Sequence, residues 1–416
     1  MLLCRKCIPI ILVLLRFWAS AMKVAAFSNR QFRLFFIGVF FAVQAIWIQR
    51  VTISWLAWER TGSAGFVGLV AGLSLLPTLL TGPFFGVLTD RVDIRRASIV
   101  TNSGQVICIT VLALSLPWIG APGLALAALA IGIVSSAHHP VRMSLGPRLV
   151  PTELVQHVVS ATALNFNMAR LVAPAGAGLI IAQFGAPVAL WVAVAFYLPM
   201  LAVLSQLRPR DLPPRQTRPF FGELADGFRY ARDTPLIRLA FLLTMIFATS
   251  ARGALEVLPV LADGAFERGA EGLGLLTAAA GGGAVVAALV KAVGVGAVGA
   301  RIPLAVYAAV MGGQLAVVGM GVAPVWSVAL LAVGLAGFCS TWCGVSLQAA
   351  IQTDLPDALR GRVMSLWTVA GFGTVALGAF AIGALADWVG IGAALVIAGL
   401  AGGLCHLILI TWGARR

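Results

Sequence analysis

Residues 149–161 read LVPTELVQHVVSA, and residues 354–366 read DLPDALRGRVMSL. Pro151/Pro356, Leu154/Leu359, Val158/Val363 and Ser160/Ser365 match at one spacing, 205 residues. The same spacing relates Gly178 to Gly383, Gly185 to Gly390 and Arg96 to Arg301. In a chain of 416 residues that spacing is about half the length, so the chain is two similar halves in tandem.

Working outward from the repeat, each half is a series of apolar runs of about 20 residues, the length an α-helix needs to cross roughly 30 Å of hydrocarbon. The expected spans are 34–58, 64–87, 97–117, 123–146, 157–182, 186–205, 236–260, 272–293, 303–322, 325–350, 363–386 and 391–412. Hydrophobic residues make up 60% of the chain and charged residues 11%, against about a quarter charged in a soluble protein. No stretch alternates apolar and polar residues as the strands of a membrane barrel would. The fold class is therefore an all-α membrane protein of 12 transmembrane helices. Because six spans are an even number, the two six-helix halves are parallel. The expected organisation is an N-terminal extension (1–27), a first half (28–205), a cytoplasmic linker (206–235) and a second half (236–416). Within the linker, FFGELADGFRYARD (220–233) is amphipathic and suits the membrane surface.

Charge sets the orientation. The chain has 29 Lys+Arg and 15 Asp+Glu, a net charge of +14. With both termini in the cytoplasm, 24 of the basic residues fall on the cytoplasmic side, Arg60 and Arg268 fall outside, and Arg50, Arg170 and Arg252 fall within the membrane. Nine acidic residues fall inside, five outside, and Glu256 alone in the membrane. Basic residues gather on the cytoplasmic side of helical membrane proteins, which accounts for the excess without a nucleic-acid partner. The expected location is a bacterial inner membrane, with the bilayer and a small-molecule substrate as partners and a monomeric state.

Cys108, Cys339, Cys343 and Cys405 lie in spans and read as small apolar groups. Cys4 and Cys7 form a lone C-x-x-C with no second pair to complete a metal site. The first 21 residues imitate a signal peptide, but the run Ile8–Leu15 is too short to span and stops at Arg16. Translation starting at Met22 is the reading that fits the charge asymmetry.

Between the second and third spans the chain reads G-V-L-T-D-R-V-D-I-R-R (Gly86–Arg96). Further stretches are W-L-A-W-E-R-T-G-S (Trp55–Ser63), N-x-x-x-A-R-L-V-A-P-x-x-A-G (Asn165–Gly178) and L-Q-x-x-x-x-T-D-L-P-D-x-L-R-G-R-V-M-S (Leu347–Ser365). Together they resemble the major facilitator superfamily, in its enterobactin-exporter-like branch, the transmembrane secretion effectors. The resemblance spans about residues 28–412. It departs from the pattern at Ile94, where a basic residue is expected, and in 291–301, which keeps only Lys291 and Arg301. It departs again at His138-His139-Pro140-Val141-Arg142, where relatives often carry an acid. The resemblance implies alternating access, with spans one and seven lining a central cavity. It also implies a cytoplasmic gate of Gly86, Asp90, Arg91, Arg95, Arg96 and Arg142, joined by Asp354, Arg360 and Arg362. The stretch Ala173–Gly178 loosely resembles an antiporter signature and tilts the direction towards export.

Charges inside a bilayer are costly and mark function by default. Counted at 1.5 Å per residue, Arg50, Arg170, Arg252 and Glu256 lie about 20 to 27 Å from the inner interface, at similar depth. Arg252 and Glu256 are four apart, on one helical face, and can pair; even then Arg50 and Arg170 leave a surplus of two positive charges for an anionic ligand such as a carboxylate or catecholate. Gln44, Trp47 and Arg50 share a face of span one, Asn167 and Arg170 a face of span five, and Thr341 and Gln348 a face of span ten. These are the candidate substrate contacts, with Trp47 and Trp342 available to stack on a planar ligand. Each also has a plain reading as packing or interface anchoring. Glu256, His138 and His139 are the candidates for proton coupling.

No G-x-x-x-x-G-K-[ST] loop is present to bind a nucleotide. No pair of acids, Ser/His pair or His/Glu set at one depth suggests an intramembrane enzyme. The leading expectation is proton-coupled export of a small anionic or amphipathic molecule, with the proton gradient as driving force and no cofactor. Uptake or lipid flipping by the same fold, and a membrane sensor, remain the alternatives.

Overall fold

The computed structural model describes residues 25–89, 92–210, 220–292, 302–353, 355 and 357–414. Among the described residues there is no strand. The first group of helices is α1 (Arg30–Thr61), α2 (Ala64–Thr89), α3 (Ile94–Ser115), α4 (Ala121–Leu145), α5 (Val155–Phe184) and α6 (Ala186–Leu204). A short amphipathic helix, α7 (Phe220–Asp233), follows. The second group is α8 (Pro235–Phe247), α9 (Gly269–Ala292), α10 (Leu304–Gly321), α11 (Trp326–Thr353), α12 (Asp357–Val389) and α13 (Ile391–Ala414).

Among the described residues eleven stretches are long and apolar enough to cross a membrane, the sixth of them α8 extended to Arg252. The remaining long helix, α2, stands where the second span is expected, and 64–79 of it is apolar by the same measure. Apolar side chains stand outward in helical spacing: Val100, Ile107, Val111 and Leu114 on α3, and Leu400, Leu404, Leu407 and Ile408 on α13. In water such stripes would be costly, whereas against lipid they are the expected surface. The chain is a multi-pass membrane protein.

Within the first group α1 packs on α6 and α5, and α4 packs on α2 and α3; within the second, α9 packs on α11 and α10 on α11 and α13. The two groups meet along two helix pairs, α2 with α12 and α5 with α9. Small residues let those backbones touch, as in membrane helix pairs generally. A methyl group built on Gly178 would lie 2.5 Å from the Ala270 carbonyl oxygen and 2.8 Å from the Gly274 Cα. On the other seam a methyl on Gly383 would run into the Ala64 carbonyl oxygen and lie 3.3 Å from the Gly68 Cα. Gly178 and Gly383 are the repeat-related pair, so the two seams are copies of one contact. The other repeat-related glycines, Gly185 and Gly390, both take φ +82° where α5 and α12 end, a conformation that favours glycine.

The seventh span departs from the expected continuous helix over 236–260. After α8 the chain makes a π-helical turn, Ala248–Arg252, then tight turns in which Leu255 N–H donates to Arg252 O, Glu256 N–H to Gly253 O and Val257 N–H to Ala254 O. A second π segment, Val260–Ala265, follows. The break is seated by α12: a methyl on Gly253 would lie 2.8 Å from the Gly378 carbonyl carbon. Widened turns of this kind commonly mark functional positions.

Candidate functional site

The break in the seventh span decides the site. Glu256 stands in a turn, so the expected pairing with Arg252 on one uninterrupted helical face does not form. Glu256 accepts instead from the Arg50 guanidinium of α1, in an ion pair that joins the two groups of helices. Arg50 is surrounded on all sides by protein, yet 41% of its side chain is accessible, against 17% for Glu256. The pair therefore borders an internal open space rather than lipid.

Trp47, one helical turn before Arg50, receives two cations. The Arg50 and Arg170 guanidinium carbons stand 5.7 and 5.9 Å from its ring centre, within cation–π range. Phe166 on α5 packs on the same ring at 5.8 Å, and Arg142 lies 5.6 Å from Phe166. The Trp47 Nε1 and Gln44 Nε2 atoms are buried without a hydrogen-bond partner, as is Arg142 Nε. Buried donors without partners are unusual in a finished core. Arg252 stands over Phe372 of α12 at 5.7 Å. Arg170 lies within electrostatic range of Arg50, Arg252 and Glu256. Three guanidinium groups therefore share one carboxylate, leaving a surplus of two positive charges in a medium that screens poorly.

The structure thus brings Gln44, Trp47, Arg50, Arg170, Arg252 and Glu256 to one place and adds Phe166 and Phe372. Asn167 is on the next turn of α5, its amide donating to the Ala163 carbonyl at 3.0 Å. Thr341 and Gln348 lie on α11, and among the described residues no hydrogen bond, ion pair or ring contact joins them to the arginines. Trp342 does not face a ligand space. It is buried, stacked on Phe338 at 5.7 Å and covered by the Lys291 ammonium at 4.3 Å.

The two histidines have different surroundings. His138 is buried between four helices, with Nε2 3.3 Å from Asn102 Oδ1 and its ring edge-on to Tyr197. The Asn102 amide donates to Ser98 O at 2.8 Å, so its oxygen accepts and the imidazole proton sits on Nε2. Tyr197 in turn donates to Gln49 Oε1 at 3.4 Å. This is an interior polar cluster tying α1, α3, α4 and α6. His139, the next residue of α4, is exposed.

Of the expected gating residues, Asp90, Arg91 and Asp354 lie outside the described residues. Gly86 falls in α2, and Arg360 and Arg362 fall in α12, where the backbone alone is described. Arg95 stays within its own group and donates to the Leu204 and Ser205 carbonyls at the end of α6, a position where a cation is favoured. Arg96 is exposed, its backbone N–H accepted by Asp93, the N-cap of α3.

A chain of apolar helices in two packed groups, with a cationic cluster enclosed between them, defines a membrane transporter of the major facilitator type. Residues 21–414 match the model of the transmembrane secretion effector family, and the chain belongs to that family. It is 27% identical to the enterobactin exporter EntS of Escherichia coli O1:K1 / APEC over 367 residues, which are 87% of this chain and 84% of that one. The enterobactin exporter of Escherichia coli O81 (strain ED1a) is 28% identical with the same coverage. Among solved structures, the nucleoside transporter NupG matches with a TM-score of 0.71 at 11% identity, over 92% of this chain and 98% of that one. The human organic anion transporter MFSD10 (TETRAN) matches with a TM-score of 0.64 at 16% identity, over 91% and 99%. At such identities the likeness to these structures is one of fold alone.

Proposed function

We propose that the chain is a proton-coupled exporter of a small anionic or amphipathic molecule, siderophore- or drug-like, in a bacterial inner membrane with both termini cytoplasmic. The observation that carries this reading is the enclosed cluster of Arg50, Arg170 and Arg252 around the single carboxylate of Glu256. Two uncompensated cations in a poorly screened space favour a ligand that brings negative charge. Guanidinium groups suit carboxylate or catecholate oxygens because they donate in a planar fork. Trp47, flanked by two of the cations, offers a ring face to an aromatic ligand. Export is supported by the relatives, which are named as enterobactin exporters.

The ion pair offers a route to coupling. Arg50 and Glu256 belong to opposite groups of helices, so opening between those groups on the outer side separates them. In the pair the Glu256 carboxylate is engaged by Arg50. Separated and facing the acidic side, it takes up a proton, and the return stroke delivers that proton inside as Arg50 reclaims the carboxylate. The anion leaves on one stroke and the proton enters on the other.

The reading is tested by accumulation in everted vesicles energised with a pH gradient, comparing aromatic carboxylates and catecholates with cationic dyes. Accumulation of anions, lost on replacing Arg50, Arg170 and Arg252 with Gln, is the expected result. Preference for cations, or anion accumulation unaffected by the three substitutions, contradicts it. Movement of anions only in the opposite direction favours uptake.

A further inference from the structure

We infer that Asp387 is the outer latch of the transport cycle: its carboxylate, carried by α12 of the second half, grips the first turn of α2 in the first half and must let go before the outer face opens. The inference rests on the alternating-access reading above, though not on the identity of the substrate.

The first N–H groups of a helix have no partner inside it and are normally capped by the residue just before it. At α2 the preceding residue, Ser63, accepts from one of them, and the other half of the molecule supplies the acceptor for two more. Asp387 Oδ1 accepts from the Ala64 N–H at 2.7 Å. Its Oδ2 accepts from the Gly65 N–H at 3.0 Å and from the Ser63 hydroxyl at 2.7 Å. The Ser63 oxygen in turn accepts from the Phe66 N–H at 3.0 Å. One carboxylate thus holds three donors of the opposite half, 322 to 324 residues away along the chain, at a helix end that favours negative charge. There is no room for a larger residue: a methyl on Gly65 would lie 2.6 Å from Asp387 Oδ2. Any separation of α2 from α12 at this end breaks the three bonds together.

Packing alone does not call for this carboxylate. The repeat supplies a second seam of the same construction, α5 against α9, with Gly178 in the place of Gly383. The residue equivalent to Asp387 there, 205 positions earlier, is Ala182. On that seam the Gly269 N–H at the start of α9 is accepted at 3.1 Å by Asp263 of its own half. The glycine contact is duplicated, whereas the cross-half cap occurs once. Asp387 also has company: Asp263 Oδ2 accepts from the Trp58 Nε1–H at 2.8 Å, and Glu256 accepts from Arg50. Three carboxylates of the second half each hold a donor of the first, and of these Asp387 meets the most donors.

Asp387 is exposed, so water replaces its bonds when α2 leaves. A latch of this kind tilts an equilibrium by about five- to tenfold, the scale of losing one good helix cap. That is enough to keep the outer face closed at rest and little enough to be overcome in each cycle.

The test is a distance measurement on the purified full chain, free of native cysteines, with spin labels on Trp118→Cys and Val325→Cys. These are exposed outer-end positions on opposite halves. No substrate is added, so a shifted distribution in a protein that moves no anion upholds the latch even while the substrate reading fails. Asp387→Ala is expected to raise the ratio of long to short distances about five- to tenfold, and Asp387→Asn to raise it less. An unchanged distribution in both folded variants overturns the inference. If neither variant yields folded protein, Ser63→Ala decides: it removes one of the three donors without touching α12. A smaller shift in the same direction supports the latch, and no shift overturns it.

Discussion

Arg50 and Glu256 stand 206 residues apart, one more than the repeat spacing, and form an ion pair between the two groups of helices. Trp58 and Asp263, 205 apart, meet in the same way about two turns further along. Equivalent positions of two parallel repeats come together at the axis that relates them. Trp58 and Asp263 are such a pair, and Arg50 and Glu256 lie one residue away from that register.

The two ends of the ion pair are not equivalent to remove. Glu256→Gln leaves three guanidinium groups without a counter-charge, whereas Arg50→Gln leaves a carboxylate still flanked by Arg170 and Arg252. Glu256→Gln is therefore expected to cost about 2–3 kcal/mol and Arg50→Gln about 1 kcal/mol, discounted for the accessible side of Arg50. The double variant should be less destabilised than the sum of the two. Thermal unfolding in detergent checks this, and the opposite order of the single variants contradicts it.

Trp47 supports two guanidinium groups, each worth about 0.5–2 kcal/mol as a cation–π contact. Trp47→Ala is expected to weaken binding of an aromatic carboxylate about tenfold, and Trp47→Phe to retain much of the affinity. Titration calorimetry on the purified chain reads both. Equal affinity for all three proteins would remove the aromatic wall from the site.

The seams depend on glycine. In an ordinary helix a larger residue gains about 0.5–1 kcal/mol over glycine. At Gly383 the added atoms run into the Ala64 carbonyl oxygen, and at Gly178 they approach Ala270 O at 2.5 Å. Overpacking of about 1–3 kcal/mol then outweighs the propensity gain. Gly383→Val and Gly178→Val should each leave the chain in the membrane yet abolish accumulation in vesicles, because the closed outer seam no longer forms. Wild-type transport by either variant would show that the seam does not close during the cycle.

His138 and His139 are adjacent in sequence and opposite in role. His138→Ala opens the buried cluster with Asn102 and Tyr197, at an expected cost of about 1–3 kcal/mol. His139 is exposed, so His139→Ala should leave the unfolding midpoint near wild type. Equal losses in the two variants would place His139 in the core as well.

Much of this architecture was legible in the residues. Span positions followed from apolar runs: the expected 123–146 and 186–205 are helices Ala121–Leu145 and Ala186–Leu204. The shared depth of Arg50, Arg170 and Arg252 followed from counting residues, and depth does not depend on which faces meet. The partner of Glu256 was harder to read. Helical spacing favoured Arg252, although Pro259, which cannot bond to the Leu255 carbonyl four residues earlier, signalled a break. The turn there is a tertiary effect, seated by the approach of Gly378 to Gly253. Asp387 read as one of five outer acids, because its grip on α2 depends on a contact between helices 300 residues apart. Trp342 shows the reverse error: an aromatic at the right depth, but on a face turned to Phe338 and Lys291.

The central claim is that anion export is exchanged for proton entry through Glu256, and its most direct test is proton movement. Everted vesicles containing the chain are energised by respiration and their internal acidity is followed with a pH-sensitive dye. Adding an aromatic carboxylate or catecholate should release protons from the vesicles, a cationic dye should not, and Glu256→Gln should abolish the response. Proton release that persists undiminished in Glu256→Gln, or that follows cations alone, would contradict the account.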